Sequence, residues 1–216
     1  MPNPARLFTY ILKHDSGFAP NPFWGHCTLA CCKPAIRRTA AVGDVIVGLT
    51  PKHRGNRIAY FMEIAEILPS FADYWRDPRF APKKPVWEGP ERMERQGDNC
   101  YEPDGSGEYR QLPSEHSKRD GTESIRAKRR DLSGRRVLIA TRFGYFGRDA
   151  RPLRPDLSFG VVGRAHRCRF TADQVDRFLQ FLDTLPTGVH GVPERWQDGA
   201  ASYQQNLAVS RPRSCR

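Results

Sequence analysis

The six residues Leu7 to Leu12 (LFTYIL) are apolar or aromatic apart from one threonine, which suits a buried first strand closed by the turn formers of HDSG. The segment APNPFWG that follows is broken by prolines and reads as loop. Residues 27 to 41 (CTLACCKPAIRRTAA) allow a short helix or two, with Pro34 confined to a first turn. Gly43-Asp44 is a turn signal that opens directly into the apolar run Val45 to Leu49. After the polar link KHRGN, Arg57 to Leu68 (RIAYFMEIAEIL) predicts a long strand on its β-branched and aromatic content, although its imperfect alternation also admits a helix.

Pattern is lost between Pro69 and Arg136. Proline, glycine and charge dominate there, over a length too great for an ordinary loop. The segment is expected either as a functional insertion lying over the body or as partly disordered. Order returns at Val137 to Thr141 (VLIAT), followed by RFGYFG, whose glycines flank aromatics, and Gly160 to Phe170 (GVVGRAHRCRF) alternates as another strand. TADQVDRFLQFLDTL is the clearest helix. Thr171 and Gln174 form a capping box, and Val175, Phe178, Leu179 and Leu182 share one face. These elements predict one α+β domain over residues 1–185: a small, mostly antiparallel β-barrel or curved sheet with flanking helices and a long irregular central insertion, 69–136. A basic C-terminal tail, 186–216, is expected to dock loosely or fray.

Lysine and arginine outnumber aspartate and glutamate by 35 to 24, a net charge of +11, so a polyanionic partner fits the balance. The excess is concentrated in residues 110–142, read either as a nucleic-acid contact or as a solvated face. No secretory n-region and h-region opens the chain, and no run of 18 apolar residues occurs. A cytoplasmic protein with no membrane partner is expected, its six cysteines (27, 31, 32, 100, 168 and 215) reduced. The oligomeric state is not legible.

Candidate chemistry is densest in residues 14–34, HDSGFAPNPFWGHCTLACCKP. His26, Cys27, Cys31 and Cys32 offer soft ligands, but CxxxCC lacks the paired spacing of structural zinc sites, so no metal is expected and buried core thiols are the competing reading. One of these thiols beside His26, oriented by Asp15 and with Lys33 nearby, would make a nucleophile. The phosphate-cradling GxxxxGK[ST] and the strand-linked GxGxxG are both absent, so no nucleotide cofactor is expected. A base-binding pocket needs stacking rings, amide or carboxylate tips and cations, and the chain interleaves these types. Phe18, Phe23, Trp24, Tyr101, Phe143 and Tyr145 supply rings, Asp98 and Asn99 the tips, and His166 and Arg167 the charge; the alternative makes GDN a turn and the aromatics core.

The strings TYILKHDSGFAPNPFWGHCTLACCKPAIRRTAAVGDVIVGLTP, GDNCYEPDG, VLIATRFGYFG and GRAHRC resemble the second of the nucleotide-modification-associated domain families. Members of that family occur in bacteria and phages beside enzymes that hypermodify DNA bases. The resemblance covers most of residues 6–170 and implies an α+β domain that acts on or recognises nucleotides or modified bases. The order of a strand, a loop-helix and VGDVIVG is also similar to base-recognising barrels of the PUA, ASCH and EVE kind, in which the loop after the first strand walls the base pocket. The expected function is recognition or processing of a modified base or nucleotide. Asp15 and Asp98 or Asn99 would meet the base edge, Phe23, Trp24, Tyr101 or Tyr145 would stack, and Lys33, Arg37, His166 or Arg167 would lie near phosphate. The rival is an enzyme with His14, His166 or Asp15 as acid and base and Cys27 or Cys32 as nucleophile. A third reading is a protein-only adaptor of a modification or defence operon.

Overall fold

The apolar runs Leu7 to Leu12 and Val45 to Leu49 and the first half of Arg57 to Leu68 become strands buried on both faces, and the alternation within each strand decides which layer it meets. The fold is taken from a computed structural model, which describes residues 4–163 and 165–196. Strands β1 (Leu7–Ile11), β3 (Val45–Leu49) and β4 (Ile58–Glu63) form the centre of a six-stranded sheet. β2 (Cys27–Leu29) and α1 (Pro34–Thr39) lie between the first two of these in the chain. Phe8, Tyr10, Ile46, Tyr60 and Met62 point to one side, and Leu7, Val45, Val47, Ile58 and Phe61 to the other.

The run Arg57 to Leu68 breaks after Glu63, and its end forms β5 (Glu66–Leu68) in a second sheet of three strands. That sheet has the order β2-β8-β5 with β8 at Val137–Ala140, and it covers the first face of the large sheet through Cys27, Leu29, Leu138 and Ala140. β9 (Arg142–Tyr145), β10 (His166–Arg167) and β11 (Gly188–Val189) complete the large sheet in the order β10-β1-β3-β4-β9-β11. Two of its pairings, β1 with β3 and β9 with β11, are parallel; the other three are antiparallel. Its second face is covered by the expected helix, α5 (Ala172–Asp183), where the Thr171 and Gln174 capping box forms and Phe178, Phe181 and Leu182 turn inward.

Three expectations change, and of the two readings of 69–136 the ordered insertion over the body is the one found. The described strands close no barrel, because the chain leaves β4 for the second sheet instead of continuing around a ring. Residues 27–29 are a strand, not helix, and residues 160–170 supply two strand residues rather than a full strand. The segment 69–136 is ordered: it folds as α2 (Phe71–Arg76), α3 (Arg92–Arg95), a hairpin of β6 (Tyr101–Pro103) and β7 (Tyr109–Gln111), and α4 (Ile125–Leu132). Phe71, Tyr74, Phe80, Cys100 and Tyr101 of this segment pack on Ala30, Cys31, Val137 and Ile139, so it buries the outer face of the small sheet. Residues 186–196 dock as well, through β11 and the buried Val192 and Trp196, while the remainder of the expected tail lies outside the described residues.

Candidate active site

Cys32 stands where β2 turns into α1, and its backbone is unusual. Cys32 and Lys33 both take left-handed conformations, with φ of 58° and 41°, two consecutive residues that carry a Cβ. Such backbone costs roughly 1–3 kcal/mol per residue and persists where its surroundings fix it. The fixing groups are visible. The Cys32 N–H donates to Asp131 Oδ1 at 2.9 Å, and Arg37 Nε donates to the Cys32 carbonyl at 2.9 Å. Gly134 lets Arg37 reach this place, since a Cβ there would come within 2.2 Å of the guanidinium carbon.

The side chain of Cys32 meets His116, which Asp131 holds, and both come from the segment without sequence pattern. His116 Nε2 lies 3.4 Å from Cys32 Sγ, and His116 Nδ1 lies 2.5 Å from Asp131 Oδ2. Asp131, at the end of α4, is fully buried and also accepts from Tyr101 Oη at 2.9 Å. Phe18 sets its ring against the imidazole at 4.7 Å between centroids. The result is a thiol, a base within reach of it, and a buried carboxylate that holds the base, the geometric signature of an activated nucleophile. Burial works against charge on His116, yet Asp131 and the Cys32 sulfur outweigh it and push its pKa up to about 10. Burial likewise works against the Asp131 carboxylate, but His116, the Cys32 N–H and Arg130 outweigh it and hold its pKa below the ordinary value.

Cys32 and His116 open into a cavity of about 740 Å3 that is also lined by Lys13, His14, Ser16, Phe18, Lys33, Glu115, Arg130 and Arg195. Cations dominate this wall. Glu115 is paired with Arg195 at 3.1 Å, and Arg195 also lies 2.9 Å from His14 Nδ1. Lys33 sits over the Tyr10 ring at 3.9 Å; burial lowers its pKa and the charge of Lys13 adds to the fall, while the Cys32 sulfur opposes it. The one group of metal-capable side chains found among the described residues shares this place: Cys31, His116 and Asp131 present ligand atoms within 4.8 Å of one another. Holding an ion there would require the Nδ1 contact of His116 or the Tyr101 contact of Asp131 to give way.

Of the residues expected to form the site, the cavity gathers His14, Cys32 and Lys33. Asp15 lies just behind it. Asp15 Oδ1 accepts from Tyr145 Oη at 2.6 Å and from the Gly17 N–H, Oδ2 has no hydrogen-bond partner, and burial pushes the pKa up to about 6. Tyr101 and Tyr145 therefore hold carboxylates rather than stack on a ligand. Cys27 is core, and Arg37 is spent on the carbonyls of Cys32, Asp131 and Arg136. Phe23 is buried against Trp24 and Trp196. His166 and Arg167 form edge strand β10, where Arg167 donates to the Phe159 carbonyl at 2.8 Å.

Asp98 and Asn99 do not share a hollow with Asp15. Asp98 accepts from Tyr74 Oη at 2.7 Å and Thr28 Oγ1 at 2.8 Å, and Asn99 Nδ2 donates to the carbonyls of Tyr74 and Phe80. Both are fully enclosed, so no base edge can reach them. Burial raises the Asp98 pKa and lowers that of nearby Lys83 to about 8, and Lys83 Nζ is tied to Asn21 and the His26 carbonyl. This inner polar network is scaffolding. Asp98→Asn is expected to cost about 2 kcal/mol, because a buried hydroxyl loses its acceptor; urea melts should show the loss, and ligand affinity should stay unchanged.

The sequence model described as nucleotide modification associated domain 2 matches residues 4–200. The chain belongs to that family. Every residue named in the cavity falls within the family match. No curated protein and no solved structure matches the chain. Among the described residues of this family member, no helix is long and apolar enough to cross a membrane.

Proposed function

We propose that this member of the nucleotide modification associated domain 2 family is a nucleotide-modifying enzyme that works by covalent thiol catalysis. The observation that carries the reading is the Cys32, His116 and Asp131 chain of contacts at the wall of a ligand-sized cavity. Cys32 Sγ would attack a carbonyl-type carbon of a base or its substituent. A carbon–sulfur bond forms, the bond to the leaving group breaks, and the proton on His116 passes to that leaving group. In the second step water or an amine attacks the same carbon, His116 takes its proton, and the sulfur departs as thiolate. Asp131 keeps the ring turned and stabilises its charged form before the first transfer and after the second. The base would dock beside the loop that follows β1, as in PUA-like folds, since Lys13 to Phe18 supply much of the wall.

A second reading, capture of a modified base without chemistry, is favoured by Asp15, a buried carboxylate whose two chain neighbours, His14 and Ser16, line the cavity. The two are separated by mass. The protein is incubated with deoxynucleotides from modified phage DNA and from unmodified DNA, and both protein and nucleotides are weighed. Enzyme action predicts a Cys32 adduct or an altered nucleotide that disappears in Cys32→Ala and persists in Cys168→Ala, which removes an exposed thiol outside the cavity. Nucleotide binding that survives Cys32→Ala, with no mass change in any species, would sink the enzyme and leave the binding module.

A further inference from the structure

The thiol cavity does not end at its own wall. A second cavity, of about 490 Å3, adjoins it, and Ile11, Lys13 and Gly163 line both. Each falls within the roughly 300–1,000 Å3 of a small-ligand site. The second is walled by Pro51, Val161 and Val162, with Lys52, His53 and Asn56 among its lining, and among the described residues that line it none is acidic. Apolar walls suit a sugar and the face of a base, and the cations suit what links them.

Lys13 stands at the junction of the two. It is exposed, among the described residues it forms no ion pair and neither do Lys52 and His53, and its charge is felt by Lys33 beside the thiol. Like charges gathered on one wall without a counter-charge stabilise an anion there, and repel one another until it arrives.

We infer that the two cavities form one cleft for a single-stranded polynucleotide, with one nucleotide in the thiol cavity, its neighbour in the second, and Lys13 on the phosphodiester that joins them. This rests on the nucleotide reading above. A free mononucleotide would fill the first cavity and leave Lys52 and His53 without a role.

The test uses the full chain with Cys32→Ser, which binds without reacting, and compares a mixed-sequence ten-nucleotide DNA strand with an equimolar mixture of the four deoxynucleoside monophosphates. The strand is expected to bind at least about tenfold more tightly. Lys13→Ala and Lys52→Glu, both at exposed positions, should each weaken strand binding about tenfold, and Lys13→Ala should lower the slope of log affinity against log salt by about 1. Monophosphates that bind as well as the strand would overturn the cleft. So would strand binding indifferent to both substitutions, which would place the contact on another basic surface such as 110–142. An unreactive Cys32 with Lys13-dependent strand binding removes the catalytic reading and keeps the cleft; turnover of mononucleotides without strand binding does the reverse.

Discussion

At pH 7, iodoacetamide should alkylate Cys32 before any other described thiol, and His116→Gln should slow that reaction by about 100-fold, the lower end of what a positioned acid–base group contributes. Access alone gives the opposite order. Cys168 is exposed and Cys32 only partly so, while Cys27, Cys31 and Cys100 are buried. The His116 ring lies 3.4 Å from the Cys32 sulfur, within reach of the reacting atom, and access alone would favour Cys168. Because Asp131 and the sulfur push the His116 pKa up to about 10 against the effect of burial, the ring is charged throughout the neutral range. The advantage of Cys32 over Cys168 should therefore persist from pH 6 to pH 9 and shrink as the pH rises through about 10. Peptide mapping after partial labelling reads the order. Cys168 reacting first, or a His116→Gln rate equal to that of the wild type, would remove the triad as a functional unit.

The strands and the last helix were legible because their signals are local. β1, β3 and β4 are continuous apolar runs, and α5 carries its own cap and stripe. The crowding of thiols in the early loop is visible in the sequence, but the contacts of Cys32 are not. Sequence reasoning placed His26 and Asp15 beside it by adjacency, whereas His26 contacts the Trp24 carbonyl and the Phe80 ring, and Asp15 pairs with Tyr145. The true partners lie 84 and 99 positions from Cys32. They were hidden in a stretch where helix α4, IRAKRRDL, is too polar to show a stripe and depends on the Ser124 cap and on packing through Asp131. Two signals could have drawn attention to it. His116 is the lone histidine between Pro69 and Arg136, and Asp131 is the lone acid in a basic helix.

Asp98 and Asn99 show the converse error. Polar residues in a GDN string look like ligand readers until burial is known, and inside the protein the same donors and acceptors satisfy Tyr74, Thr28 and nearby carbonyls. The family match makes the contrast useful. For the nucleotide ligand proposed above, the cation-rich cavities beside β1 are, among the described residues, better suited than the enclosed network around Asp98.

Asp131→Ala should cost about 3–5 kcal/mol, the range for breaking a buried, hydrogen-bonded charge pair, and should lower the melting temperature by about 10 °C in a domain of this size. Four donors lose their acceptor at once: the Cys32 N–H, the Tyr101 hydroxyl, the His116 ring and Arg130 Nε. The left-handed turn at Cys32 then loses one of the two contacts that fix it, so thiol reactivity should fall together with stability. The pH dependence separates an ionic pair from simple packing. The folded pKa of His116 lies above its ordinary value near 6.5, so its contribution is complete below about pH 6.5 and fades as the pH rises through about 10. Asp131 has a depressed pKa, so its contribution is complete above the ordinary carboxylate value near 3.8 and is lost as the pH falls through its lower folded value. The difference in urea-unfolding free energy between wild type and Asp131→Ala should form a plateau between about pH 4.5 and 6.5 and narrow towards pH 10. A difference that stays constant from pH 6 to pH 10 would mean that His116 is not held as a cation by Asp131, and the nucleophile would lose the charge on which its activation depends.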